Sequence, residues 1–286
     1  MATSSVFFCI DIPSDFLYYI KEIFFTEYTM NILVIGDVVG DNGCDFLRRT
    51  LPAFKKLNAI DLCIVNGENS AQGNGIHPNS ADHLLSSGAD VITTGNHALR
   101  RAEIYQKFDE EGYPLIRPAN FHRTAPGKGY YIIDKGFMQI AVINLIGVAY
   151  LENNENPFDC IDRVLEEVKD CRIKIIDFHA EATAEKRAMG FYLDGRVSAI
   201  FGTHTHVQTN DAQVLPKGTG YITDIGMTGP VQSVLGVTPS LAIEKMKTNL
   251  PVRFQNPDGE CRMEGCIFEI DNKTGKTLSA KTVSVM

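Results

Sequence analysis

Five short polar clusters in the 286-residue sequence carry side chains that commonly bind metal ions or transfer protons. Each cluster ends or directly follows a short apolar run, and none contains a cysteine. Carboxylate, amide and imidazole groups form a mixed oxygen and nitrogen ligand set, which favours manganese or iron over a structural zinc site. The clusters are Gly36-Asp37, Asn66-Gly67-Glu68-Asn69, Gly95-Asn96-His97, Asp177-Phe178-His179 and Gly202-Thr203-His204-Thr205-His206.

The number of candidate ligands indicates more than one metal ion. A single zinc ion takes three or four ligands, whereas the clusters supply seven. Two ions that share a bridging carboxylate suit this number, at the spacing of roughly 3.5–4 Å that two-metal hydrolases use. We therefore predict two divalent or trivalent ions per chain, iron or manganese, held by Asp37, Glu68, Asn69, Asn96, His179, His204 and His206.

Taken one at a time, these residues have simpler explanations. An Asp or Asn after a strand usually caps a turn or a helix. Considered by itself, Asp37 would be interpreted in this way. His204 and His206 lie two positions apart and share one face of an extended segment, but such a pair is more often structural than metal-binding. The metal hypothesis therefore depends on the joint pattern.

The clusters lie within alternating strands and helices that begin at Met30. In an open α/β sheet, ligands bind beyond the carboxyl ends of the strands, so clusters that follow five strands should converge on one place. No linker or repeat divides the pattern, which predicts one α/β domain. Apolar runs predict strands at 31–36, 61–66, 90–94, 174–178 and 197–201 before the clusters, and at 130–134, 139–145, 220–223, 262–270 and 277–285 elsewhere. Helices are predicted at 45–57, 78–85, 101–108, 157–168, 182–189 and 240–246.

Composition excludes some classes of function. The net charge of −8 argues against non-specific nucleic acid binding, but permits a small phosphate ester because metal ions bring local positive charge. No apolar run reaches the ~18 residues of a membrane span. The seven cysteines are odd in number and lack a CxxC pair, as expected for reduced, mostly buried thiols of a cytoplasmic protein.

Residues 1–29 differ from the rest of the chain. Charged residues interrupt their apolar stretches, and the absence of a basic leader and of a small-residue cleavage site argues against a signal peptide. A short amphipathic helix is one interpretation. We favour the other, an N-terminal extension before a natural start at Met30, because the first predicted strand begins at Asn31.

The clusters belong to longer motifs that resemble the calcineurin-like metallophosphoesterases and, more closely, their bacterial YmdB-like branch. The resemblance runs from about Met30 to the C-terminus and identifies 30–286 as a metallophosphoesterase domain. Its motifs are long and specific. They are Gly36-Asp-Val-Val-Gly40, Asn66-Gly-Glu-Asn69, Arg117-Pro-Ala-Asn120, Asp177-Phe-His-Ala-Glu-Ala-Thr183, Leu193-Asp-Gly-Arg-Val197, Gly202-Thr-His-Thr-His-Val-Gln-Thr209 and Tyr221-Ile-Thr-Asp-Ile-Gly-Met-Thr-Gly-Pro230.

The resemblance implies a four-layer α/β/β/α sandwich with two iron or manganese ions and phosphodiesterase activity on 2′,3′-cyclic nucleotides. The expected partner is thus a small cyclic nucleotide, with no membrane and no stable nucleic acid complex, while a homo-oligomer stays open. Glu68 would bridge the ions, and His97 would be the catalytic histidine beside the leaving group. The remaining ligands would form one set per ion: Asp37, Asn69 and His206, and Asn96, His179 and His204.

We expect hydrolysis without a covalent intermediate. A hydroxide that bridges the metal ions would attack phosphorus, and His97 would protonate the departing ribose oxygen or stabilise its charge. Two alternatives stay open: a phosphomonoesterase or nucleotidase on the same metal core, and a non-enzymatic regulator that binds a nucleotide.

The chain departs from the family pattern at two places. Most of the superfamily has Asp-x-His in the first motif, whereas this chain has Val39, and Asn69 is expected to substitute as a ligand. After Gly-Asn-His the relatives usually have Trp and then Asp, whereas this chain has Leu99 and Arg100. Leu99 fills less volume than Trp, so we expect His97 to be held less firmly and turnover to be slower than in those relatives, with metal binding retained. If Arg100 lies in the first turn of the next helix, its charge opposes the helix dipole at a cost of roughly 0.3–1 kcal/mol. The rival interpretation is that Arg100 binds the substrate phosphate.

Overall fold

Thirteen strands form two β-sheets in residues 29–286, the part of the chain that the computed structural model describes. Residues 1–28, almost all of the predicted extension 1–29, lie outside the described residues. In chain order the strands are β1 (Thr29–Ile35), β2 (Asp37–Val38), β3 (Leu62–Asn66), β4 (Val91–Thr93), β5 (Tyr130–Asp134), β6 (Gln139–Ile146), β7 (Ile173–His179), β8 (Ala199–Thr203), β9 (Gln213–Val214), β10 (Gly220–Ile222), β11 (Met227–Pro230), β12 (Cys261–Asp271) and β13 (Thr277–Val285).

Six α-helices lie between these strands in the described range, and a 3-10 helix at Ala102–Ile104 directly precedes the third. None of these helices has both the length and the apolar character that a membrane crossing requires. The helices are α1 (Gly40–Leu57), α2 (Pro78–Ser86), α3 (Tyr105–Asp109), α4 (Pro157–Glu167), α5 (Thr183–Leu193) and α6 (Pro239–Thr248).

Parallel strands in both sheets end at the same side of the molecule. The first sheet has the strand order β2-β11-β12-β1-β3-β4, with β13 also paired to β12, and its strands β1, β3 and β4 are parallel. The second sheet has the order β5-β6-β7-β8-β10-β9, and its strands β6, β7, β8 and β10 are parallel. Residues that follow these strands are therefore brought toward a common edge.

The two sheets pack face to face, and helices cover the outer face of each. Ile32 of β1 and Ile140 of β6 belong to the apolar layer between the sheets. Leu47 of α1 packs in a second apolar cluster on the first sheet, and Ile161 of α4 packs in a third on the second sheet. This is the predicted four-layer α/β/β/α sandwich. The six cysteines of the described residues are buried as free thiols, as predicted.

Most predicted elements occur within a few residues of their predicted positions, but α1 begins at Gly40 instead of residue 45. Its first turn is polar and glycine-rich, which is typical of a loop. The fold needs glycine there, because a Cβ on Gly43 would lie 2.5 Å from the carbonyl oxygen of Thr228. Gly40 has a φ of +63° and donates its backbone N–H to the carbonyl of Asn69 at 2.9 Å, so the helix start contacts a predicted ligand segment.

Candidate metal centre

The structure brings the seven predicted ligands together at the carboxyl ends of the parallel strands. Ligands of the first sheet follow β1, β3 and β4, and those of the second sheet end β7 or follow β8. The site therefore lies where the two sheets meet. The first sheet supplies Asp37, Glu68, Asn69 and Asn96, and the second supplies His179, His204 and His206.

One group of ligand atoms surrounds Nε2 of His179, whose side chain is fully buried. This nitrogen lies 3.0 Å from Oδ1 of Asn96 and 3.0 Å from Nδ1 of His204. It also lies 3.3 Å from Oε1 of Glu68. The ligand atoms of the carboxylate and the two imidazoles all lie within 4.8 Å of one another, close enough to hold one ion. Asn96, His179 and His204 are one of the two predicted ligand sets, and Glu68 is the predicted bridge.

A second group of ligand atoms lies beside the first. Nε2 of His206 is 3.4 Å from Nδ2 of Asn69 and 3.9 Å from Oδ2 of Asp37. The Nδ2 of Asn69 donates to Oε1 of Glu68 at 3.0 Å. A half-turn of this amide would exchange its nitrogen for its oxygen, the atom that binds metals. Because the Glu68 carboxylate contacts both groups, it is the group best placed to bridge two ions.

The buried charges of this centre fit a bound cation. Oδ1 of Asp37 is buried without a hydrogen-bond partner among the described residues, and burial raises the pKa of this carboxyl group. Burial also opposes ionisation of Glu68, but His179 and His97 outweigh it and hold the pKa of Glu68 well below its usual range. Burial opposes protonation of His179, yet Glu68 raises the pKa of that imidazole to about 9. A metal ion would supply the positive charge that these carboxylates otherwise obtain from a proton.

A buried ion pair supports the strained loop that follows β8. His204 and His206 have φ values of +94° and +61°, in the left-handed region that residues other than glycine rarely adopt. Nζ of Lys186 donates to Oδ2 of Asp224 at 2.8 Å. The same carboxylate oxygen accepts from the backbone N–H and hydroxyl of Thr205 at 3.2 and 2.7 Å. The ion pair therefore anchors the residue between the two histidines.

A second buried network orients His179. Its Nδ1 lies 2.9 Å from Oγ1 of Thr203, and that hydroxyl donates to Oδ1 of Asp177 at 2.6 Å. Because the hydroxyl proton is used on Asp177, Thr203 accepts from Nδ1 and leaves Nε2 directed at the other ligands. Burial raises the pKa of Asp177 to about 6. Its carboxylate also accepts from Nδ2 of Asn66 at 3.0 Å, so the network connects the two sheets.

His97 has one ring nitrogen occupied and the other free. Its Nδ1 lies 3.0 Å from Oδ1 of Asn69 and 3.3 Å from Oε1 of Glu68. The backbone N–H of His97 donates to Oε2 of Glu68 at 3.1 Å. Nε2 has no hydrogen-bond partner within residues 29–286, and the ring borders an open cleft. This nitrogen can therefore exchange a proton with a molecule in the cleft.

The glycine before Asn96 allows the loop after β4 to approach the centre. A Cβ on Gly95 would lie 2.3 Å from Nε2 of His179 and 2.4 Å from Oε2 of Glu68. Any larger residue would displace the ligand atoms, which explains a glycine at this position.

The ligand groups open into a cleft of about 530 Å³, a volume typical of small-molecule sites. Its walls include the segment 252–256 and three arginines, Arg100, Arg101 and Arg253. The 3-10 helix begins at Ala102 with Arg101 as its N-cap. Arg100 therefore precedes the first turn, and the predicted conflict between its charge and the helix dipole does not occur.

Sequence reasoning missed the roles of residues that support the ligands. Oε2 of Glu181 lies 3.1 Å from Nε2 of His204, on the side of the ring away from His179. Glu181 and Asp224 stand within the family motifs, which was a usable signal. Lys186 lies outside those motifs, and only the fold places it beside Asp224.

Comparisons with known proteins agree with the motifs. Residues 33–283 match the family model of YmdB-like proteins. The chain is 44% identical over 257 residues to the 2′,3′-cyclic-nucleotide 2′-phosphodiesterase of Bacillus subtilis, covering 90% of this chain and 97% of that relative. A crystal structure of a Thermus thermophilus protein superposes with a TM-score of 0.84 at 36% identity, covering 90% of this chain and 99% of that one. A phosphatase structure from Mycoplasma pneumoniae has a TM-score of 0.84 at 31% identity, covering 90% and 93%. The chain therefore belongs to the YmdB-like branch of the calcineurin-like metallophosphoesterases.

Proposed function

We propose that this chain hydrolyses 2′,3′-cyclic nucleotides at a centre of two metal ions. The observation that carries the proposal is the position of Glu68, whose buried carboxylate contacts both groups of ligand atoms beside the cleft. As a member of this family, the chain is a phosphoric ester hydrolase. The 44% identity to a 2′,3′-cyclic-nucleotide 2′-phosphodiesterase supports the choice of substrate.

The donor set suits two iron or manganese ions, because it combines carboxylate, amide and imidazole groups without thiolate. When bound, the ions would supply an activated water and neutralise charge on the phosphate. A reducing compartment, which the buried free cysteines of the described residues favour, suits a cytoplasmic enzyme. Glu68 would contact both ions, and the other ligands would be Asp37, Asn69 and His206 for one ion and Asn96, His179 and His204 for the other.

His97 is the proposed proton donor. The Glu68 carboxylate holds its Nδ1, which leaves Nε2 free to protonate the departing 2′ oxygen of the ribose. Hydrolysis of that ester adds a hydroxyl group to phosphorus and a proton to the 2′ oxygen, and leaves a nucleoside 3′-phosphate. The name of the Bacillus subtilis relative, a 2′-phosphodiesterase, supports this choice of ester bond.

The test is turnover of 2′,3′-cyclic AMP by metal-loaded protein, with adenosine 5′-phosphate as the monoester comparison and Glu68→Ala as the control. We expect adenosine 3′-phosphate as the product and no turnover by Glu68→Ala. Faster hydrolysis of the monoester would favour a phosphomonoesterase or nucleotidase. Bound metal without turnover of either ester would favour a nucleotide-binding regulator.

A further inference from the structure

The side chains of two arginines in the cleft beside the metal centre lack a partner among the described residues. The side chains of Arg100, in the loop after β4, and Arg253, in the segment before β12, are exposed and make no hydrogen bond or ion pair with any residue of the described range 29–286. Arg101 differs, because its guanidinium donates to the backbone carbonyls of Asn74 and Gln72. Arg100 and Arg253 are thus free to bind a molecule in the cleft.

The scissile phosphate does not account for this positive charge. Two divalent ions would bring four positive charges, of which Asp37 and Glu68 cancel two. The reacting phosphodiester and a hydroxide cancel the other two, and the Asn and His ligands are neutral. Arg100 and Arg253 are therefore surplus positive charge, in a protein whose net charge is −8. Their place in the cleft suits a second anionic group on the substrate.

We infer that Arg100 and Arg253 bind a phosphate at the 5′ position of the nucleotide whose cyclic phosphate is hydrolysed. The inference rests on the proposed function, which places the cyclic phosphate at the metal centre. The cleft of about 530 Å³ is large enough for one nucleotide with both groups. Arginine suits the task because its guanidinium stays charged and can bind two phosphate oxygens at once.

The same 5′ phosphate occurs in two kinds of molecule. In a free nucleotide it is a terminal monoester, and in a short RNA that ends in a 2′,3′-cyclic phosphate it is the diester to the preceding nucleotide. Both place an anion on the same ribose as the cyclic phosphate. Comparing a substrate of each kind therefore shows whether the arginines bind the terminal monoester or the diester of an RNA end.

The kinetic test uses metal-loaded enzyme and three substrates: adenosine 2′,3′-cyclic phosphate, its 5′-phosphorylated form, and the ApA dinucleotide with a terminal cyclic phosphate. We expect at least one 5′-substituted substrate to have a KM ~10-fold or more below that of the parent, the usual effect of a charge-assisted hydrogen bond. This preference should fall ~10-fold in Arg100→Gln and in Arg253→Gln. It should persist in Arg48→Gln, the control, because Arg48 is exposed on α1 outside the cleft.

The outcomes are distinct. Preference for the 5′-phosphorylated mononucleotide alone identifies the monoester as the ligand, and an equal or greater preference for the dinucleotide identifies the RNA end. Absence of both preferences in the unaltered enzyme overturns the inference. An equal rise in KM for all three substrates in both arginine variants also overturns it, because the arginines would then act on the scissile phosphate.

Calorimetry separates this inference from the proposed function. Adenosine 3′,5′-bisphosphate should bind metal-loaded protein ~10-fold or more tightly than adenosine 3′-phosphate. In the double variant Arg100→Gln with Arg253→Gln, the two Kd values should become about equal. If 2′,3′-cyclic AMP is not hydrolysed but this difference is observed, the anion site stands and the catalytic proposal fails. If the double variant keeps the full difference, the arginines bind no second phosphate.

Discussion

Glu68 and His97 are in contact, yet we expect their truncation to have different effects. Glu68→Ala removes the carboxylate that contacts both ligand groups, so metal and activity should be lost together. His97→Ala should keep most of the metal but lose ~10²–10⁴ in kcat, the usual contribution of a general acid. Elemental analysis and kcat measured on the same preparations check both results. If His97→Ala empties the site, then His97 is a ligand and not the proton donor.

Thr203 is a positioning residue, because it acts on the metal centre through His179. Thr203→Val keeps the size of the side chain but removes the contacts to His179 and Asp177. We expect metal affinity to fall ~10–100-fold, the usual effect of losing such a supporting hydrogen bond. Thr203→Ser should restore the affinity, measured by competition with a chelator. If the valine variant binds metal as tightly as the unaltered protein, packing alone orients His179.

At the scale of elements, the loop after β8 depends on a contact between α5 and the segment after β10. Lys186 and Asp224 are 2% and 0% exposed, so Lys186→Met would leave a buried carboxylate without its cation. We expect the free energy of unfolding to fall by ~3–5 kcal/mol. The matched control is Glu155→Gln at the exposed Arg163–Glu155 pair, which should cost less than ~1 kcal/mol. Denaturant titration measures both, and equal losses would argue against a special role for the buried pair.

Local sequence patterns predicted where the strands lie better than they predicted which strands pair in the sheets. The hairpin predicted at 262–270 and 277–285 occurs as β12 and β13. Its first strand, however, lies between β11 and β1, where Asp271 pairs with Thr29. Alternation of apolar residues identifies a strand but not its partner, because pairing depends on packing between distant segments. The short strands β2, β9 and β11 have too few residues to show a period.

The candidate ligands could be located from the sequence because polar residues directly follow buried strands whose ends share one edge. Their roles as ligands stay predictions. Lys186 could not be found in this way, because a lysine in a helical pattern is normally exposed to solvent. The helix after β4 was predicted to begin at residue 101 and begins at Ala102, so the condition that Arg100 lies in its first turn is not met. Among the described residues the Arg100 side chain has no hydrogen-bond or ion-pair partner, and this depends on the conformation of the loop.

At the scale of the whole molecule, the centre joins the two halves of the sandwich. Asp37, Glu68, Asn69 and Asn96 follow strands of the first sheet, and the three histidines proposed as ligands come from the second. The unfolded chain cannot bring these residues together, so the ions should bind the native state far more tightly. Ligands that bind only the native state stabilise it by mass action.

We therefore expect close to two ions per chain and a metal-dependent rise in Tm. An ion at 100 times its Kd adds ~2.7 kcal/mol, which for a chain of 286 residues corresponds to roughly 4–5 °C per site. Iron or manganese would be loaded under reducing conditions, counted by elemental analysis and followed by calorimetric melting before and after chelation. Glu68→Ala is the control, and its Tm should not respond to metal. Fewer than one ion per chain would contradict a dinuclear centre. Two ions without a change in Tm would place them on the surface, away from the junction of the sheets.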